Sequence, residues 1–181
     1  MRSSLLALLC ISFSLGAMAQ TSILLSYNRD FSGRFGVGLT LNEQAWDNWG
    51  IHMNVNVLFN GDIPDYVVSR VYLNFLEESG DSYVRYARQE GSYTWGFRCG
   101  PTYRIHGGHH AQTSLGFQFQ PQYAYYSTEL GLLATELGLN YYGSSSIGYL
   151  FLHRIFSFGL TYTESWTSDA DFFSMGVGVT F

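Results

Sequence analysis

Trp49-Gly50-Ile51-His52-Met53-Asn54-Val55-Asn56-Val57-Leu58-Phe59 alternates without a break. Trp49, Ile51, Met53, Val55, Val57 and Phe59 fall on one side, and Gly50, His52, Asn54, Asn56 and Leu58 on the other. A period of two is that of a β-strand whose faces meet different surroundings; a helix would return its apolar residues every three or four positions. The phase recurs from Tyr93 to Ile105, where Trp95, Phe97, Cys99 and Tyr103 oppose Thr94, Gly96, Arg98 and Arg104. It recurs again from Thr113 to Tyr125, where Leu115, Phe117 and Phe119 oppose Ser114, Gly116 and Gln118. A soluble β-sandwich also alternates, but it turns aromatic residues inward and shows Lys, Glu and Thr to water. The polar face here is glycine, amide, Arg and hydroxyl, which suits a narrow lumen, with the aromatic face toward lipid.

Composition agrees. Aromatic residues make up 18% of the 181 residues and charged residues 13%, yet no stretch after the N-terminus reaches the roughly 18 continuous apolar residues of a spanning helix. All 9 basic residues are Arg and the formal net charge is −5, which argues against a nucleic-acid surface.

The first residues read as a secretory signal peptide. Arg2 precedes an apolar run from Leu5 to Leu15, and Ala17-Met18-Ala19 supplies small residues before a cleavage site. Cys10 lies inside the apolar run after Leu9, not after the small residue of a lipid-attachment site. Residues 1–19 are therefore the expected signal peptide and 20–181 the barrel domain. Removing Cys10 leaves Cys99 alone, so no intramolecular disulfide can form.

Strand-like runs fall near 21–28, 33–41, 49–59, 66–76, 83–89, 93–105, 111–126, 132–141, 146–153, 156–166 and 172–181. Bacterial single-chain barrels have even strand numbers. The weakest run, 21–28, is read as a periplasmic lead-in or a short pairing extension. The expectation is an all-β, antiparallel, transmembrane up-and-down β-barrel of eight to ten strands, ten preferred. Turn chemistry marks Asn60-Gly61-Asp62, Gly91-Ser92, Gly107-Gly108 and Gly143-Ser144, and no connection looks long enough for a folded extracellular unit. Thr128-Glu129-Leu130-Gly131-Leu132 repeats as Thr135-Glu136-Leu137-Gly138-Leu139, which is read as strand with a turn or bulge near Leu133.

The end of the chain carries the most specific feature. Phe173, Met175, Val177, Val179 and the terminal Phe181 alternate with Ser174, Gly176, Gly178 and Thr180. This resembles the C-terminal strand of bacterial outer-membrane barrel proteins, and the size is similar to that of the OmpX, OmpW and OmpA-transmembrane type. The resemblance implies an outer-membrane location, contact with outer-membrane lipids, and recognition of those five residues by the barrel-assembly machinery. It also implies a periplasmic terminus, with tips near 43–48, 77–81, 106–110, 143–145 and 167–171 facing outward. It carries no family's functional residues.

By parity Arg34, Arg70, Arg98, Arg104 and His52 point into the lumen, and Glu136 is the carboxylate placed there. Arginines along a constriction favour anions. The plainer reading is that they bond to amides, to Glu136 and to lumen tyrosines such as Tyr66 and Tyr72, filling a bore too narrow to conduct. His106, His109 and His110 flank a glycine turn where a divalent transition metal is conceivable, but firm ligand spacing is missing. Acidic residues at the tips, among them Glu43, Asp47, Asp62, Asp65, Glu77, Glu78, Asp81, Asp169 and Asp171, either bridge cations to lipid headgroups or keep the tips solvated. Trp46, Trp49, Trp95 and Trp166 suit interfacial girdles. Barrel enzymes that deacylate lipid A pair a His with a Ser two positions on, whereas His52 leads to Asn54 and His153 to Ile155. A structural or interaction barrel with a filled lumen, free of cofactors and open to an envelope protein partner, is the first expectation. A narrow channel for small anionic or amphipathic solutes is the alternative, and a lipid-acting enzyme the second alternative.

Overall fold

The structure, a computed structural model, describes residues 20–44, 47–59, 66–78, 85–90, 93–128, 131–166 and 171–181. The expected signal peptide, Trp46, Asp62, Asp65, Asp81, Asp169 and the turns at Asn60-Gly61-Asp62 and Gly91-Ser92 lie outside the described residues. The elements in order are β1 (Gln20–Asp30), β2 (Phe35–Gln44), β3 (Trp49–Phe59), β4 (Tyr66–Val67), α1 (Arg70–Glu78), β5 (Arg85–Glu90), β6 (Tyr93–His106), β7 (His109–Thr128), β8 (Gly131–Leu152), β9 (Phe156–Ser165) and β10 (Phe172–Thr180).

Among the described residues, eight strands close into an antiparallel ring in the order β1, β2, β3, β6, β7, β8, β9, β10, with β10 returning to β1. The preferred count of ten is thus corrected to eight, and four particulars explain the difference. The run 83–89 holds β5, which pairs with β7 alone and stays outside the ring. The weak run 21–28 is β1, a full member paired on both sides. The runs 132–141 and 146–153 are one strand of 22 residues, β8, which passes through Gly143-Ser144 without turning. The run 66–76 holds a two-residue strand and then the helix α1, whose first turn is capped by Ser69: the Tyr72 amide donates to its Oγ at 3.3 Å and the Leu73 amide to its carbonyl.

Following hydrogen-bonded partners around the ring gives Ser144, Gly116, Arg98, Asn54, Thr40, Leu24, Gly178, Ser157 and then Leu152. The path returns to β8 eight residues from where it left. A shear of eight on eight strands tilts them by roughly 36° and encloses an interior that side chains fill. Strands of 9–11 residues in β1, β2, β3, β9 and β10 match the span needed at such a tilt.

Polarity is inverted relative to a soluble protein. Leu25, Ile147 and Val177 on the outer face are 69%, 67% and 65% exposed, whereas Ser22, Asn28 and Thr163 on the inner face are fully buried. Only an apolar solvent makes that arrangement favourable, so the outer face is the lipid face. Aromatic pairs mark both ends of it: Trp49 against Tyr103 at 4.8 Å, and Phe31, Tyr162 and Phe173 around one another at 5.2–6.5 Å.

The two ends of the ring differ. The end that carries Gln20 and Phe181 also carries the β2–β3, β6–β7 and β8–β9 connections. The β6–β7 turn is tight, and Gly107 there takes φ +55°, a left-handed conformation that favours glycine. The far end carries the β1–β2, β3–β6, β7–β8 and β9–β10 connections. The tips near 43–48 and 106–110 therefore lie on the side of the termini, opposite to those near 77–81 and 167–171. The expectation that all five tips face away from the termini is therefore corrected for 43–48 and 106–110, and 143–145 is no tip but part of β8.

At the far end the β7–β8 hairpin continues beyond its neighbours. Residues of β7 after Phe119 leave β6, and residues of β8 before Ser144 leave β9. β5 pairs antiparallel with β7 there, and β4 runs parallel to β8 at Leu133 and Ala134. The result is a small projecting sheet in the order β4, β8, β7, β5, with α1 against β8. Leu73 of α1, with Ala124, Tyr125, Leu133, Ala134 and Thr135, is buried there, well away from the lumen. The described part of the β3–β6 connection is thus a helix and two short strands laid on the β7–β8 extension.

Candidate functional site in the lumen

Arg98 occupies the middle of the interior and is 2% exposed. It sits on β6, whose partner β3 presents Asn54 and Asn56 one strand away. Arg98 Nη2 donates to Asn54 Oδ1 at 2.5 Å and to Asn56 Oδ1 at 2.8 Å. Its guanidinium carbon lies over the Phe172 ring, 5.1 Å from the centroid. Glycines provide the clearance. A Cβ at Gly116 would meet the Arg98 Cγ at 2.7 Å, and one at Gly96 would run into Asn56 Oδ1 and come within 3.2 Å of Arg98 Nη1.

A cavity of about 20 Å³ adjoins this network. Its polar wall includes His52, Thr40, Gln112 and the hydroxyls of Ser26, Ser114 and Ser146, and its apolar wall includes Leu24 and Leu150. Thr102 Oγ1 donates to Asn42 Oδ1 at 2.9 Å, so His52 Nδ1, 3.3 Å from the same hydroxyl, is the donor to it. Gln112 Nε2 donates to Thr161 Oγ1 at 2.7 Å, and the Ser114 and Ser146 hydroxyls lie 2.5 Å apart. Leu24, Leu150 and Leu152 form an apolar plug toward the termini.

Of the arginines placed in the lumen by parity, Arg98 and Arg104 face the interior, as does His52. Arg104 lies nearer the termini, opposite His110, and its Nε has no hydrogen-bond partner. Arg34 stands instead in the turn at the far rim, ion-paired through its Nε to Asp30, because β2 begins only at Phe35. Arg70 is exposed on α1, outside the lumen, where Tyr72 is exposed as well. Glu136 is exposed on the projecting hairpin: its parity is inward, but at that height there is no lumen, and a bulge at Leu137 shifts the register. The turn or bulge expected near Leu133 is found as that bulge at Leu137, while Leu133 itself is paired strand, opposite Tyr126. Nothing is described of the Tyr66 side chain.

Adjacent histidines diverge, as successive strand residues must. His109 points outward to the Tyr149 hydroxyl, while His110 points inward and donates from Nδ1 to the Gly108 carbonyl at 3.0 Å. Among the described residues no three His, Cys, Asp or Glu side chains gather as a metal site. Asp171 at the far end accepts from the Tyr162 hydroxyl at 3.0 Å and the Ser165 amide at 2.8 Å. Phe173, Met175, Val177, Val179 and Phe181 all lie exposed on the lipid face. Two residues of the lumen, Phe172 and Asp30, went unremarked in the sequence, although each shares the parity of inward neighbours on its strand.

Comparison of the sequence with known protein families and with curated proteins finds no match. Comparison of the fold does. The crystal structure of Ail, the attachment invasion locus protein of Yersinia pestis, superposes with a TM-score of 0.56 at 14% identity, over 90% of this chain and 96% of that one. The same protein in complex with the heparin analogue sucrose octasulfate gives 0.55 at 16%, over 90% and 97%. The N-terminal β-barrel domain of Pseudomonas aeruginosa OprF gives 0.50 at 10%, over 90% and 97%. The chain therefore has the fold of the small bacterial outer-membrane β-barrels.

Proposed function

We propose that this protein is a non-conducting outer-membrane barrel that serves as a structural and interaction scaffold, its lumen filled and its projecting sheet offered to a partner. The observation that carries the reading is the cross-section at Arg98. The guanidinium is bonded to two asparagines and covered by Phe172, Leu24 and Leu150 stand on the other side, and about 20 Å³ is left open. That is room for about one water, not for a hydrated ion. The projecting sheet, with its own buried cluster under α1, supports the interaction half of the reading. Likeness to Ail at this identity speaks for the fold, so the role rests on the sheet itself. The termini would face the periplasm, the outer face would meet outer-membrane lipids, and the β10 residues Phe173 to Phe181 would engage the assembly machinery.

A second reading, a narrow anion channel, is favoured by the surplus of interior cations over carboxylates. Planar-bilayer recording of the refolded protein separates the two. A silent bilayer, with heat-modifiable gel migration proving that the barrel has folded, supports the scaffold. Discrete steps with an anion-selective reversal potential sink it.

A further inference from the structure

We propose that the lumen cavity beside Arg98 holds one resident monatomic anion of chloride size. The inference rests on the closed-lumen reading, since a guest exchanging freely with an open pore is a conducted ion.

Charge is the first argument. A guanidinium stays protonated in proteins, and burying it without a counter-charge is costly. Among the described residues the inward carboxylate is that of Asp30, which is committed to Arg34 at the rim. Neither Arg98 nor Arg104 has a carboxylate within ion-pair distance among the described residues. The asparagines satisfy hydrogen bonds of Arg98 but bring no charge.

Donors and space supply the rest. Arg98 Nη1 is buried and lacks a hydrogen-bond partner. The cavity wall adds Thr161, which accepts from Gln112, and the bonded pair Ser114 and Ser146, so that Thr161 and one of the two serines keep a hydroxyl proton to turn toward an anion, while Ser26 gives its own to Asn28. A volume of about 20 Å³ takes one water-sized or monatomic guest and excludes carboxylates and phosphates. Water would fill the space but leave the charge uncompensated.

The test uses the refolded barrel. Crystals grown in bromide should show an anomalous peak inside the ring, about 3.3 Å from an Arg98 nitrogen, a charge-assisted contact somewhat longer than one to oxygen. Thermal unfolding in chloride should exceed that in gluconate at equal ionic strength by a few degrees, through stabilisation by a ligand of the folded state. Arg98→Gln should abolish the difference; if that variant does not fold, the wild-type crystal and melts decide alone. An interior without a bromide peak, or equal melting in both salts, overturns the proposal. With a silent bilayer, that outcome leaves the filled scaffold intact, whereas conductance steps would remove the scaffold itself.

Discussion

Phe172 lies under the Arg98 guanidinium, 5.1 Å from ring centroid to Cζ, and joins β10, the last strand of the ring, to β6 on the far side of the lumen, next to the strand that carries Asn54 and Asn56. Such a contact is worth about 0.5–2 kcal/mol beyond the area buried. Phe172→Leu should therefore cost more in the wild-type barrel than in an Arg98→Met background, by about that amount. Urea unfolding of the four proteins in one detergent gives the coupling directly, and additive losses would show that the ring and the cation ignore each other.

The glycine clearance makes a finer prediction. A methyl at Gly96 collides with the Asn56 amide, which is the far end of a side chain and can turn away, but only by giving up its bond to Arg98. Gly96→Ala should cost about 1–3 kcal/mol, the range for a buried donor left short of a partner. The same substitution should cost less when Asn56 is already Ser. Gly116→Ala should be harsher in either background, because its methyl meets the Phe97 carbonyl and the Arg98 stem, which cannot swing aside.

Leu73 ties α1 to the projecting sheet and is 1% exposed. Leu73→Ala should cost that unit about 2–5 kcal/mol while leaving the ring closed. Limited proteolysis is expected to cut the β3–β6 connection in the variant and spare it in the wild type, with heat-modifiable migration retained by both. Loss of that migration in the variant would mean that ring and sheet fold as one unit.

Val177 on the outer face and Thr180 on the inner face of β10 distinguish lipid from lumen. Val177→Arg should destabilise the barrel in bilayers by about 2–4 kcal/mol if the site lies at mid-depth. Thr180→Ser should be nearly silent. A tolerated arginine at position 177 would place that face in water.

Overproduction should leave the mass of lipid A unchanged in a strain that carries its own outer membrane. A mass shift that appears with the protein and disappears with a denatured variant would restore the lipid-acting reading.

β3 and β6 were legible as strands because each has one purely apolar face, but not as partners, since two further strand-like runs lie between them in the sequence. β1 alternates weakly because Leu24 interrupts its polar side; inside a barrel that leucine is simply part of a plug with Leu150 and Leu152. Gly143-Ser144-Ser145-Ser146 has the chemistry of a turn, yet Gly143 is strand, pressed so closely on the Trp166 ring that a Cβ could not fit. The α1 segment alternates well enough to pass for a strand, and what decides it is the Ser69 cap and the burial of Leu73 against β8. At the site, parity agrees with the inward side chains of Arg98, Arg104 and His52. It does not place Arg34, Arg70 or Glu136, because parity carries no information about where a strand begins, where a helix replaces it or where the ring stops.

The junction of β1 with β10 has a temporal meaning. Those two strands stand near opposite ends of the described chain, so the ring cannot close until nearly all the others exist, and contacts so distant in sequence form slowly. Before that moment β1 and the growing front each present an open row of amides and carbonyls, the kind of edge on which chains aggregate. The hazardous stage in the life of this protein is thus its construction, and a cell that monitors it would do best to sense unfinished edges rather than faults in the finished wall.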